Sequence, residues 1–390
     1  MTILTSHGKI SYRRTILVPA NQQSSDTLRQ MGKISVCPMD EILGVERTGF
    51  RMTYKAMAQI AREGITSRSY ADACRQFNEK YHIKISETEV KNVTDFVGKL
   101  MFNKITEEAE TAAKRRFDSR KRRKGSGDIA YLMADGAMVH IRDNGAKPES
   151  GIAGIDGWVE SKHAIFIDAK DIEEYGIDKD GNPRCKIIKK SAVGYIGPSS
   201  GFEKYLIWLA RRTGFEFYAE QVIVIDGCLW LRDMLKKLFP YAQIILDKCH
   251  AKENAGEFAK AIKVGSDSRR ELADQLCDLI DAGDIEALLN ILEPYKDSKL
   301  PDGVVNMYTY VTNHIDNMEY PEYARKGYYV GSGAMESSNK SLMQSRLKLI
   351  GMRWNRSRAQ NVLTLKMLYE CGMWDEVVAS LREYVSCTNQ

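Results

Sequence analysis

The sequence is poor in cysteine, and the cysteines it has are scattered. Eight occur in 390 residues, and none forms a Cys-x-x-Cys pair or an evenly spaced series. Zinc ribbons and disulfide frameworks depend on such spacings. We therefore expect neither a structural zinc ribbon nor a disulfide-stabilised secreted domain.

Long apolar runs are also missing. No run reaches the ~18 residues that a membrane-spanning helix needs, and residues 1–10 lack the apolar centre of a signal peptide. With 43% hydrophobic and 28% charged residues, the composition is typical of a soluble globular chain and excludes an intrinsically disordered one. The length fits two or three domains, and we expect a cytoplasmic protein.

The charge is distributed unevenly along the chain. The net charge is +5, but residues 1–127 hold 24 Lys and Arg against 14 Asp and Glu, and the remainder is net acidic. A basic N-terminal part joined to an acidic remainder indicates a polyanion-binding module attached to a part with another task.

Two consecutive helical patterns in the N-terminal part are spaced like a helix-turn-helix pair. Apolar residues recur at helical spacing over residues 69–81. After a short break, Ser86 is followed three residues later by Glu89, which is the pattern of a capping box. We predict a second helix over 86–101, and the alternative is a helical hairpin that only packs on a core. In a helix-turn-helix the second helix would present four residues to a DNA groove: Ser86, Glu87, Lys91 and Asn92.

A dense basic run ends this N-terminal part. Residues 114–124 carry eight basic side chains in eleven positions, and residues 125–127 are Gly-Ser-Gly. We interpret the run as an arm that contacts DNA phosphates with salt-dependent, sequence-independent affinity, and the tripeptide as a hinge; a solvated linker is the alternative. The basic residues are Lys114, Arg115, Arg116, Arg120, Lys121, Arg122, Arg123 and Lys124.

After the hinge the periodicity changes from helical to strand-like. Apolar runs predict strands over 129–134, 158–168, 221–226 and 242–246, and helices near 202–212 and 230–239. Antiparallel-looking strands followed by strands that alternate with helices indicate a mixed α/β sheet. Residues 251–320 lack strand signals and are predicted to be helical.

Acidic residues follow two of these strands. Asp135 and Asp226 each come after an apolar run and before a glycine, which lets the backbone turn and leaves the carboxylate at the sheet edge. A third carboxylate, Glu336, begins a later helical stretch. Carboxylates from separate elements suit Mg²⁺, and two such ions about 4 Å apart catalyse phosphodiester chemistry. A single aspartate of this kind is more often a turn cap, and the competing carboxylates are Asp143, Asp156, Glu160 and Asp168.

Five segments carry motifs in a fixed order along residues 128–380. They are Met133-Ala-Asp135-Gly136, Trp158-x-Glu160-x-Lys162, Val224-Ile-Asp226-Gly-x-x-Trp230, Ile245-Leu-Asp247-x-x-His250, and residues 331–355 around Glu336. Together they resemble the DDE-type, Mutator-like transposases of bacterial insertion sequences, in particular the families of the Kra and Lre kinds. The N-terminal third is similar to them only in kind.

The resemblance implies an RNase H-like catalytic domain on a mixed α/β sheet, interrupted by an all-α insertion and preceded by a mainly helical, helix-turn-helix-like DNA-binding region. Asp135, Asp226 and Glu336 would form a catalytic triad that holds two Mg²⁺, for which Mn²⁺ substitutes. The implied segments are 1–113 (DNA-binding region), 114–127 (basic arm and hinge), 128–250 and 321–390 (the two parts of the catalytic core) and 251–320 (the insertion).

The resemblance also implies an accessory pair, Asp247 and His250, that would orient DNA near the triad. A plain helix cap at Asp247, or a metal pair formed by Cys249 with His250, is the alternative. The helix after Glu336 has an apolar stripe and a cationic remainder that would hold DNA across the metal site. Its candidate DNA contacts are Lys340, Arg346 as a phosphate clamp, Lys348, Arg353, and Trp354 as a stacking residue; burial of the Trp at a helix junction is the alternative.

The sequence as a whole predicts a DNA transposase. It would bind the terminal inverted repeats of its own mobile element and target DNA, act as a homodimer or larger oligomer, and be nucleoid-associated. Two alternatives stay open: a catalytically inactive or domesticated DNA-binding regulator, and an RNase H-fold junction-resolving nuclease.

Overall fold

The computed structural model describes most of the chain as two units. The described residues are 1–30, 33–115, 128–142, 156–177, 183–263, 265–331 and 333–386, without the side chains of Asp156, Pro183, Arg184 and Glu336. Unit 1 comprises residues 1–107, 139–159 and 341–390, and unit 2 comprises residues 108–138 and 160–340. None of the helices in these ranges combines the length and apolar character that a membrane crossing requires.

The described N-terminal residues form a small antiparallel sheet and a series of helices. The strands are β1 (Thr2–Thr5) and β2 (Gly8–Ser11), and the helices are α1 (Gln22–Gln30), α2 (Pro38–Ile42), α3 (Val45–Thr48), α4 (Tyr54–Thr66), α5 (Tyr70–Tyr81) and α6 (Glu87–Ala113). The predicted helical pair is present as α5 and α6, although α6 extends well beyond residue 101. The predicted capping box is confirmed, because the Ser86 N–H donates to Glu89 Oε2 at 2.8 Å and the Glu89 N–H to Ser86 Oγ at 3.2 Å.

The next part of the chain contains the strands of the main sheet. Its elements are β3 (Ile129–Arg142), β4 (Asp156–Asp168), β5 (Ile172–Ile177), β6 (Pro183–Ile187), β7 (Ser191–Ile196), α7 (Ser199–Thr213), β8 (Glu220–Ile225), α8 (Leu229–Leu238) and β9 (Gln243–Leu246). The five-stranded sheet has the order β7-β4-β3-β8-β9. β4 runs antiparallel to β7, and β8 runs parallel to β3 and to β9. The predicted mixed sheet is therefore confirmed, and β5 and β6 form a separate antiparallel hairpin.

The two parallel strands at the centre are buried because their sequences are continuously apolar. The segment from Ala130 to Ala134 on β3 and the segment from Val222 to Ile225 on β8 are both at most 3% exposed. Strands that are covered on both faces lack the polar alternation of half-exposed strands. This explains why an unbroken apolar run, followed at once by a polar residue, predicts the elements that carry Asp135 and Asp226.

One expectation about β3 is wrong. The Asp135–Gly136 step was expected to end the strand in a turn, but β3 continues through it to Arg142. Gly136 serves a different purpose, because a Cβ built on it would lie 2.3 Å from Oε1 of Glu160. The glycine therefore gives room for a carboxylate of the neighbouring strand instead of turning the chain.

The remaining elements of the described chain are helices joined by turns and irregular segments. After the sheet come α9 (Lys248–Ile262), α10 (Ser266–Ala282), α11 (Ile285–Leu292), α12 (Met307–His314) and α13 (Tyr320–Arg325), then α14 (Gly333–Asn339), a π-helical turn (Lys340–Gln344), α15 (Ser345–Leu347), α16 (Arg356–Glu370) and α17 (Trp374–Ser386). The predicted helicity of residues 251–320 is confirmed. Gly351 lies between α15 and α16 with φ +78°.

Candidate active site

Asp135 on β3 and Asp226, which directly follows the neighbouring parallel strand β8, lie at one end of this strand pair. The register pairs Met133 of β3 with Val224 of β8, so each aspartate follows its paired residue by two positions. Both line a small cavity together with Asp247 and His250 at the start of α9. Three consecutive parallel strands, β3, β8 and β9, therefore bring acidic residues to one place.

The electrostatics of the cavity are unfavourable for the two carboxylates alone. Burial, and then the charge of the nearby Asp226, raise the pKa of Asp135 to about 6. A carboxyl group next to a like charge in a poorly solvated place holds its proton more tightly. Burial and the charge of Asp226 therefore both oppose the ionisation of Asp135.

Each aspartate is held by specific donors. Asp135 Oδ2 accepts a hydrogen bond from Asn339 Nδ2 and Oδ1 accepts one from the Gly136 N–H, both at 2.6 Å. Asp226 Oδ1 accepts from the Cys228 N–H at 3.1 Å. Gly227, which separates these two residues, has φ +99°, a left-handed conformation that favours glycine. The predicted turn after Asp226 is therefore present.

The Asp247–His250 pair combines a helix cap with a cation. Asp247 is fully buried and its Oδ1 accepts hydrogen bonds from the backbone N–H groups of Cys249 and His250, which caps α9. Its Oδ2 lies 3.2 Å from His250 Nδ1. This hydrogen bond raises the pKa of His250 to about 9, so the imidazole is protonated at neutral pH. A positive charge therefore faces the cavity of the two aspartates.

The third predicted triad residue lies on a helix that reaches this cavity. Met335 of α14 lines it, and Glu336 is the next residue of the same helix. The Glu336 side chain lies outside the described part of the structure. Among the described residues, no group of three or more His, Cys, Asp and Glu side chains is arranged to hold a metal ion.

A second charged cluster was not predicted as a site, although its residues belong to the spaced motifs. Lys162 is 5% exposed, its Nζ lies 2.8 Å from Glu160 Oε2, and it donates to the Gly197 carbonyl at 3.0 Å. The same ammonium lies 5.7 Å from the centre of the Trp230 ring. Two motifs separated by about 70 residues thus meet where the Lys162 ammonium lies near the Trp230 ring, and pattern alone contained no signal for this contact.

Of the competing carboxylates, Glu160 and Asp168 are described, and neither lines this cavity. Asp168 ends β4, accepts a hydrogen bond from Tyr218 Oη at 2.6 Å, and forms an ion pair with Lys170 at 2.7 Å. Burial alone would raise its pKa, but the hydrogen bonds from these two partners hold the pKa below its ordinary value. Asp168 is thus a satisfied structural carboxylate. Asp143 and the side chain of Asp156 lie outside the described residues.

The candidate DNA contacts fall into three groups. Lys114, Arg115, Lys340, Lys348 and Arg353 are exposed, and Lys91 is half-buried on α6. The other basic-arm residues lie outside the described part of the chain: Arg116, Arg120, Lys121, Arg122, Arg123 and Lys124.

Arg346 and Trp354 form the third group, and both are buried inside unit 1. The Arg346 side chain is 1% exposed, its Nε donates to the Gly64 carbonyl at 3.0 Å, and its guanidinium lies 4.7 Å and 4.9 Å from the ring centres of Tyr70 and Trp354. The Trp354 indole donates to the Leu347 carbonyl at 3.1 Å. Neither side chain is exposed to solvent, so neither is one of the DNA contacts proposed below.

The chain was compared with protein-family models, curated proteins and solved structures. No protein-family model matches the chain, and no curated protein matches it. Among solved structures, the Drosophila P element transposase strand transfer complex is similar, with 9% sequence identity over 90% of this chain and 99% of that chain. The TM-score of 0.37 does not by itself establish a shared fold.

Proposed function

We propose that this protein is a DNA transposase of a bacterial insertion sequence, with an RNase H-like catalytic domain and a DDE triad. The observation that carries the proposal is the placement of Asp135 within β3 and of Asp226 directly after the adjacent parallel strand β8, where both line one cavity with a protonated histidine. This is the juxtaposition that the DDE interpretation requires of its two aspartates. The mixed sheet and the helix that carries Glu336 agree with it.

The residues at the cavity suit Mg²⁺. Two neighbouring carboxylates supply the hard oxygen ligands that a divalent cation prefers, and Asp135 and Asp226 would hold it, joined by Glu336. When bound, two such ions activate the attacking oxygen and stabilise the leaving oxygen of a phosphodiester. Mn²⁺, with the same preference for oxygen ligands, would substitute.

The other groups of the cavity would act on the DNA strand. His250, protonated through Asp247, places a positive charge beside the carboxylates and would contact a phosphate oxygen next to the scissile one. Water would attack the phosphorus at the element end, and the bond from phosphorus to the 3′ oxygen would break. The freed 3′-hydroxyl would then attack a phosphodiester of the target DNA.

Basic residues would supply affinity for DNA. The proposed DNA contacts are Lys91, Lys348 and Arg353 in unit 1, and the basic run 114–124 and Lys340 in unit 2. α5 and α6 would read the element ends as a helix-turn-helix pair, and a dimer or larger oligomer would hold two ends together.

A cleavage assay on DNA from the borders of the gene's own locus tests the proposal. Wild type, Asp226→Asn and the control Asp168→Asn would each be incubated with Mg²⁺ or Mn²⁺. We expect metal-dependent nicks at defined border positions in wild type and control, and their loss in Asp226→Asn. Border binding without cleavage by any of the three would support the regulator, and cutting of branched DNA regardless of sequence would support the resolvase.

A further inference from the structure

Three buried side chains connect the sheet interior to Asp135. Ser161 Oγ lies 2.6 Å from His163 Nε2, His163 Nδ1 lies 2.9 Å from Asn339 Oδ1, and Asn339 Nδ2 lies 2.6 Å from Asp135 Oδ2. Ser161 and His163 are fully buried on β4, and Asn339, the last residue of α14, is 6% exposed. The proposed function assigns no role to any of the three.

The chemistry of Asp135 fixes the direction of every hydrogen bond in this series. An ionised carboxylate only accepts hydrogen bonds, so the Asn339 amide must turn its NH₂ group towards Asp135. Its carbonyl oxygen then faces His163 Nδ1 and requires a proton on that nitrogen. The other ring nitrogen of His163 is left with a lone pair, and the Ser161 hydroxyl must donate to it.

A neutral imidazole is the form that this arrangement needs. Burial lowers the pKa of His163 to about 4, so the ring carries one proton at neutral pH. One donor nitrogen and one acceptor nitrogen match the two partners of the ring. The series therefore runs as Ser161 to His163 to Asn339 to Asp135, with no unpaired group inside it.

We propose that Ser161, His163 and Asn339 form a hydrogen-bond relay that positions the carboxylate of Asp135 for cation binding. The proposal rests on the metal site proposed above and extends it to residues that would not touch the ion. His163 fixes the orientation of the Asn339 amide, and Asn339 fixes the rotation of the Asp135 carboxylate. Residues that orient metal ligands in this way change metal affinity by about 10- to 100-fold when they are removed.

The first measurement determines which ring nitrogen of His163 carries the proton. Two-bond ¹H–¹⁵N correlation spectra of the uniformly ¹⁵N-labelled full chain distinguish the two neutral forms of a histidine, and the His163 signals are assigned by their loss in His163→Phe. We expect the proton on Nδ1 at pH 7.5. A proton on Nε2 would overturn the relay, because His163 would then have no hydrogen to donate to Asn339.

Metal affinity is the second measurement, made by calorimetric titration of Mn²⁺ into the full chain without DNA. Asn339→Ala removes the donor to Asp135, and His163→Phe keeps the ring volume but removes the donor to Asn339. We expect both to weaken Mn²⁺ binding about tenfold or more. Asn317→Ala is the matched control, because Asn317 donates to the Ile244 carbonyl at 3.1 Å in the same unit and contacts no residue of the relay.

The outcomes separate the relay from the metal site. Unchanged Mn²⁺ affinity in Asn339→Ala and His163→Phe, with normal binding by wild type, would overturn the relay alone. If the wild-type protein binds no Mn²⁺, the proposed metal site is wrong. The proposed role of the relay in positioning a metal ligand is then wrong as well. Equal weakening in Asn317→Ala would show a general loss of stability instead of a positioning role and would also count against the relay.

Discussion

At the scale of single residues, the carboxylate of Asp135 is placed at a cost to stability. Asp135 has a raised pKa in the folded protein, whereas an aspartate chosen only for stability has a lowered one, as Asp168 does. Functional sites often keep groups that the fold would be more stable without. This contrast between two aspartates of one unit gives a direct test.

Asp135→Asn should stabilise the metal-free protein at pH 8. The folded state holds the Asp135 proton more tightly than the unfolded chain, so the stabilisation from that proton is complete below pH 3.8 and is lost as the pH rises through about 6. The loss corresponds to up to about 3 kcal/mol, which asparagine avoids. Urea unfolding in the presence of EDTA from pH 5 to 8 measures the difference, which should shrink towards pH 5.

Asp168→Asn is the control with the opposite sign. Its lowered pKa means that the ionised group stabilises the fold above the unfolded pKa and that this contribution disappears as the pH falls through the folded pKa. The substitution should therefore destabilise the protein at pH 8. If both substitutions change the free energy of unfolding in the same direction, the assignment of the two aspartates is wrong.

Arg346 should matter for stability and not for DNA affinity. Arg346→Ala removes a buried side chain packed between two aromatic rings, which should lower the free energy of unfolding by about 2–4 kcal/mol. The folded variant should keep the wild-type salt dependence of DNA binding. Thermal unfolding and fluorescence anisotropy with a labelled duplex measure the two effects.

Lys348→Ala provides the comparison on the same segment. Lys348 is exposed, so its removal should change stability by less than about 0.5 kcal/mol and reduce the slope of log K against log salt by about 1. A lower salt slope in Arg346→Ala at temperatures where it is folded would restore the phosphate-clamp interpretation of Arg346.

At the scale of elements, close helix contacts depend on small residues. In unit 1, a Cβ on Gly98 of α6 would lie 2.7 Å from the backbone oxygen of Asn361 on α16. The two helices therefore approach each other too closely for any side chain at this position. Asn361 Nδ2 also donates to Asp95 Oδ1 at 2.6 Å, one turn before the glycine, so the contact combines close packing with a hydrogen bond.

Gly98→Ala should destabilise the protein by about 1–3 kcal/mol, because the backbone atoms opposite the new methyl group cannot move aside cheaply. Gly256→Ala on α9 is the matched control, since nothing lies within 4 Å of the added Cβ. It should stabilise by about 0.5–1 kcal/mol through helix propensity. Chemical denaturation of both variants measures the change in the free energy of unfolding. Stabilisation by Gly98→Ala would contradict the close approach of α6 and α16.

At the scale of the whole molecule, the uneven charge predicts how the protein binds DNA. Replacement of the eight basic residues of 114–124 by serine should leave the unfolding temperature unchanged and weaken binding to any duplex equally. The salt slope should fall by several units, because each phosphate contact contributes about 0.9. Fluorescence anisotropy titrations from 50 to 200 mM salt measure this slope.

The double variant Arg269→Ser, Arg270→Ser controls for loss of charge in general. Both side chains are exposed at the start of α10, and neither is one of the proposed DNA contacts. Their removal should leave the salt slope nearly unchanged. An arm variant with a wild-type slope would identify residues 114–124 as a solvated linker.

Local patterns were sufficient to predict much of the architecture. Continuous apolar runs predicted β8, β9 and the first part of β3, the strand-like segment 158–168 predicted β4, the Ser86 capping box predicted the start of α6, and residues 251–320 were recognised as helical from the absence of strand signals. These features depend on neighbours within a few positions along the chain, so sequence alone determines them. The nearness of Asp135 to Asp226 also followed, because both come directly after continuously apolar segments of neighbouring strands.

Contacts between distant segments were decided by the tertiary structure alone. The sequence contained no signal that His163 would meet Asn339 across 176 positions, or that Gly136 would make room for Glu160 instead of a turn. It also presented Arg346 as a cation for DNA, whereas folding places it between two rings. A side chain's periodicity assigns it to a face of its own element, but only the path of the rest of the chain determines what covers that face.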